Sequence, residues 1–113
     1  MGTKFLVEID AEKSPNAVGE LLRKEFFAEE IGCYSCFDWA EGVESLPDLR
    51  ETDCWGELAI WHRGRKKIGE TLIECRYFWD GDGFLVFGFP DGTWLVNYDC
   101  KKNHGWSLTT EVP

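Results

Sequence analysis

From Thr3 to Asp10 apolar and polar residues alternate, with Phe5, Val7 and Ile9 on one side flanked by Lys4, Glu8 and Asp10, which predicts a first β-strand. The period then changes. Ser14 has the chemistry of a helix N-cap and Pro15 that of a first helical residue, opening a helix to about Glu30 with Gly32 as a stop. On a helical wheel Ala17, Val18, Leu21, Leu22, Phe26 and Ala28 share one broad face, but Glu25 and Glu29 fall near its centre, four residues apart. Two readings compete for them. They could form a carboxylate pair at a pocket edge, or the helix could overhang the sheet and leave both in water, with Phe27 and Ile31 taking over the contact. The second is the ordinary case, because unpaired carboxylates are rarely buried.

Residues 33–54 read as an irregular, acid-rich connection with Pro47 inside it, and long connections of that kind are usually functional or mobile. Period two then returns. Leu58, Ile60 and His62 alternate with Trp55, Glu57, Ala59 and Trp61 in a strand over 55–62, and the stretch RGRKK at 63–67 reads as a polar turn. A long strand from Ile68 to Trp79 puts Thr71, Ile73, Cys75, Tyr77 and Trp79 on one face and Glu70, Leu72, Glu74, Arg76 and Phe78 on the other. DGDG at 80–83 closes a hairpin, and FLVFGF at 84–89 is apolar on both faces, as suits a central strand covered twice. In PDG at 90–92, Pro90 presets a type I turn and Gly92 accepts a positive φ. Thr93–Tyr98 and Trp106 to about Val112 complete a meander.

The expected fold is therefore a single α+β domain over residues 1–113, with an N-terminal strand and one helix packed on a curved antiparallel sheet of about five or six strands. One helix is too narrow to shield both faces of such a sheet. The second face also carries aromatics, so the sheet is expected to curl, to pack on a twin, or to present a binding surface.

Composition narrows the function. The 113 residues suit one core, and 43% hydrophobic with 29% charged residues suits a water-soluble globule. No run approaches a membrane span, and MGTKFLVEID resembles neither a leader nor a lipidation signal. Five cysteines, an odd number, point to reduced thiols in the cytoplasm. A net charge of -9 disfavours binding to a phosphate backbone. Residues 1–54 hold thirteen acids and five bases, and within them Asp38, Glu41, Glu44, Asp48, Glu51 and Asp53 face only Arg50. Such a segment favours a basic partner.

The candidate chemistry is sparse. Cys33 and Cys36 have the spacing of half a zinc site, for which Cys100 and His104 in CKKNHG would be the second pair. The signal is modest; the expectation is ordinary thiols with no cofactor or metal. Cys-x-x-Cys here follows a helix instead of opening one, which argues against a redox pair. His62 continues an apolar strand face, so a half-buried structural role is its expected place. Asp80 and Asp82 are explained by the hairpin and lack the ligand set of a calcium loop. RGRKK reads as a solubilising tip, or as a partner for the acidic segment of a second copy.

The leading expectation is a non-enzymatic acidic binding protein that occupies a basic protein surface, as inhibitor or immunity-type factors do. Its contact set would be Asp38, Trp39, Glu41, Glu44, Asp48, Trp55 and Trp61, with carboxylates steering association and aromatics adding affinity. The alternative is a small-ligand module with an aromatic pocket in a curled sheet, which a homodimer could complete.

Overall fold

The computed structural model describes residues 4–6, 9–10, 14–28, 38–47, 60–79, 84–97 and 105–110. In chain order the elements are β1 (Lys4–Leu6), β2 (Ile9–Asp10), α1 (Pro15–Phe26), β3 (Glu44–Leu46), β4 (Ile60–Ile68), β5 (Thr71–Trp79), β6 (Phe84–Gly88), β7 (Trp94–Asn97) and β8 (Ser107–Thr109). β3 to β8 form one open antiparallel sheet in sequence order, and β1 pairs with β2 in a separate two-stranded sheet. This is an α+β fold with a six-stranded sheet. The N-terminal alternation thus makes two short strands folded on each other, not one strand of the main sheet.

The helix begins as the sequence predicts, with Ser14 at the N-cap and Pro15 first in the helix. Its cap is main-chain only: Val18 N donates to Ser14 O at 3.0 Å, and the serine side chain makes no capping bond. The helix ends at Phe26, short of Glu30, because Phe27 leaves in an extended conformation to pair with Trp39. Ala40 N donates to Phe26 O at 2.9 Å, and Ala28 N donates to Asp38 O at 3.1 Å. One of the carbonyls a helix end leaves without a partner is thereby satisfied by the returning chain. Ala17 and Ala28, expected on the apolar face, are exposed; Val18, Gly19, Leu22, Arg23 and Phe26 are buried.

The largest departure from the sequence reading is at 63–67. RGRKK does not turn; β4 runs straight through it, and every residue from Ile60 to Ile68 has a partner on β5. The reversal falls at Gly69-Glu70, between the paired Ile68 and Thr71, with Gly69 at φ 62° in the first of two loop positions. That is where a type II′ hairpin requires a residue able to take positive φ. The alternation survives under the charge: Gly64 and Lys66 point toward the helix, and Arg63 and Arg65 away from it. The PDG turn forms as expected. Gly92 N donates to Phe89 O at 3.0 Å, Gly92 has φ 89°, and Thr93 N donates to Asp91 Oδ1 at 3.0 Å.

The core lies between α1 and one sheet face. Phe26 packs on Phe87 with ring centroids 5.2 Å apart, Phe87 stacks on Trp106 at 5.5 Å, and Ile73, Cys75, Tyr77, Leu85 and Leu95 fill the rest. Across the sheet Phe78, Val86 and Val96 are buried as well, which fits the doubly apolar 84–89 stretch. Trp94 and Trp106 are buried, and among the described residues the only exposed large apolar side chain is Leu72, at 49%. Phe26, Phe27, Tyr77, Phe78, Phe87, Phe89, Trp94 and Trp106 are therefore core residues.

Candidate functional site

The acidic segment is anchored at both described ends. At one end Trp39 stacks on Phe27 (5.3 Å, 19°) and meets Phe26 edge-on (6.4 Å, 66°). Its ring rests on β4 at Gly64, where an added Cβ would come within 3.0 Å of Trp39 and 2.9 Å of Val43. Gly64 is thus the floor on which the two side chains sit. At the other end β3 pairs with β4 through Glu44↔Arg65, Ser45↔Gly64 and Leu46↔Arg63. Between the anchors the chain turns at Glu41-Gly42, with Gly42 at φ 92°. The connection expected to be irregular therefore contains a strand.

This geometry distributes the predicted contact residues. Asp38, Glu41 and Glu44 are exposed; Trp39 is half-buried. Trp61 belongs to β4, while Asp48 and Trp55 lie outside the described residues. Arg65 Nε and Nη2 donate to the two oxygens of Glu44 at 3.0 and 3.1 Å, a bidentate pair that raises the Arg65 pKa. So a base of the RGRKK stretch does meet the acidic segment, but within one chain. At an exposed site such a pair sets geometry more than stability. β3 is an edge strand, paired among the described residues only on its β4 side.

Lys66 reaches the opposite way. Its Nζ lies 3.1 Å from Glu25 Oε1 and donates to Glu25 O at 2.9 Å, tying the helix end to β4. Glu25, its side chain 41% exposed, is thus an ion-paired acid at the helix end. Glu29 lies outside the described residues, as do Cys33, Cys36, Cys54, Cys100 and His104 with the proposed metal clip. Among the described residues no group of three His, Cys, Asp or Glu side chains is placed to hold a metal. Among the described residues no helix is long and apolar enough to cross a membrane.

His62 is half-buried and stacks on Tyr77 at 6.3 Å and 18°. Cys75 is fully buried beside them on β5, and burial first, then the charge of Glu74, pushes its thiol well above the usual range. A thiol held protonated in the core is a poor nucleophile. Peptide mapping after iodoacetamide at mildly alkaline pH should find Cys75 unmodified in the folded protein and modified in guanidinium. Equal labelling in both would contradict its burial.

Comparison of the chain with protein-family models, with curated proteins and with solved structures returned no match.

Proposed function

We propose that this protein is a non-enzymatic binding protein that docks on a basic surface of another protein through residues 38–46. The observation that supports this reading is an exposed acidic turn held at both ends: Trp39 seated on Phe27 and Gly64, and β3 paired to β4, with Glu41 exposed between the anchors and Asp38 exposed just before the first. A pre-shaped segment loses little conformational entropy on docking. Its carboxylates, on a chain of net charge -9, would accelerate encounter with a cationic surface. The edge of β3 away from β4, unpaired among the described residues, adds main-chain donors and acceptors next to those carboxylates, as strand addition by a partner requires.

Trp39 in this reading shapes the segment from below, and the contact itself is polar. The double variant Asp38→Lys, Glu41→Lys should keep its thermal stability while the association rate with the native partner falls about tenfold or more at low salt. Wild-type association should slow as salt rises, and the variant's should not. An association rate indifferent to both the charge reversal and ionic strength would rule the reading out.

A further inference from the structure

The sheet face turned away from α1 carries an arrangement that acidic docking does not use. Arg63 and Arg76 stand directly opposite each other on β4 and β5. Like charges in that position repel. Both guanidiniums lean on a single carboxylate oxygen: Arg63 Nε lies 3.3 Å and Arg76 Nε 2.6 Å from Glu74 Oε2. Each arginine thus uses one of its five N–H donors there, and among the described residues no other acceptor meets the remaining four of either. These side chains are 25%, 17% and 27% exposed for Arg63, Arg76 and Glu74, so the unused donors are only partly hydrated.

The local balance is positive. Among the described residues of this face Arg63, Arg65, Lys67 and Arg76 are set against Glu74 and Glu44, leaving two positive charges in excess on a chain that is otherwise strongly acidic. Arg76 also stands over an aromatic ring. Its guanidinium carbon stands 4.8 Å from the centre of the Trp94 ring, and Trp94 lies on Gly88, where a Cβ would come within 2.8 Å of the indole. A guanidinium stacked on a ring keeps its N–H edge free in its own plane. Two guanidiniums side by side, one over a ring and both partly withdrawn from water, match the oxygens of one carboxylate or phosphate group.

We propose that Arg63 and Arg76, the latter set against Trp94, form a binding site for a small oxyanion, a metabolite carrying a carboxylate or phosphate, with which Glu74 competes. The ligand bridges the two guanidiniums and neutralises the charge that Glu74 leaves. The site lies on the sheet face opposite Trp39 and does not depend on the docking role.

Calorimetric titration and thermal shift of the full chain with inorganic phosphate, and separately with succinate, test this at ionic strength held constant with sodium chloride. Saturable binding of at least one probe is expected, with backbone amide shifts centred on Arg63 and Arg76. A response to phosphate alone marks a phosphorylated ligand, and one to succinate alone a carboxylic acid. Arg63→Gln should weaken binding about tenfold or more, since it removes half the fork. Glu74→Gln should strengthen it by about tenfold, because the competing carboxylate is gone; a merely structural triad would not gain affinity this way. Arg76→Gln disturbs the Trp94 stack and is read only beside Arg63→Gln. The site is refuted if neither probe binds beyond chloride, if Arg63→Gln binds as tightly as wild type, or if Glu74→Gln binds no better.

Discussion

Gly19→Ala should destabilise this protein by about 3 kcal/mol, although the same change in an exposed helix interior ordinarily gains roughly 0.5–1 kcal/mol. Gly19 is buried in the middle of α1, and the Trp106 indole lies directly against it, so that an added Cβ would overlap the ring atoms Cγ, Cδ2 and Cε2. The indole has nowhere to retreat. It is stacked on Phe87 at 5.5 Å, Arg23 lies 6.0 Å from its centroid on the helix side, and its main-chain N–H is held by Asn16 Oδ1 at 3.0 Å. The helix must therefore lift from β8 or the tryptophan must leave its rotamer, and either response opens the core. Urea denaturation would measure the loss. In a Trp106→Leu background, where the ring is absent, Gly19→Ala should recover its ordinary stabilising sign. A Gly19→Ala protein as stable as wild type would show that α1 does not pack on Trp106 in this way.

Trp39→Ala should cost about 3 kcal/mol, at the lower end of what aromatic truncation costs in a core, since the ring is only half-buried. The ring joins the end of α1 to β4, through Phe27 and Phe26 on one side and Gly64 on the other. The effect should extend beyond global stability. The bonds from Ala28 N to Asp38 O and from Ala40 N to Phe26 O depend on that junction, so exchange of these two amides should rise by more than the global loss explains. Trp39→Phe keeps part of the stack and should fall between. If docking uses a pre-shaped acidic turn, the alanine variant should bind its partner more weakly even where it is fully folded. Amides that exchange at the rate set by global unfolding alone would show that Trp39 is not what holds the segment.

Much of this architecture is legible in the chain. The start of α1 follows from Ser14-Pro15, the turn at 90–92 from Pro90, Asp91 and Gly92, and the two faces of β5 from strict alternation over Thr71–Trp79. Each of these depends on residues within a turn or a strand of one another. The candidate site was legible only in part. Its acidity is plain in composition, but β3 within it is three residues long and has no pattern of its own; it is a strand because β4 lies beside it.

The misreading at 63–67 and the missed ion pair of Glu25 share a cause. Charge normally marks a turn or a solvated face, and here it marks partners far away in sequence: Arg65 for Glu44, Lys66 for Glu25, Arg63 for Glu74. Helix length was likewise decided from outside, when Phe27 found Trp39.

By itself, then, the sequence determined the class of fold, the register of its hydrophobic faces and the sign of its charge, because backbone periodicity and local sterics act between near neighbours. The tertiary structure alone decided that a basic stretch is strand, that Trp39 is an anchor, and that two arginines share one carboxylate. Those outcomes rest on contacts between residues that only the folded chain brings together, and no local pattern encodes which distant partner a charge or a ring will meet.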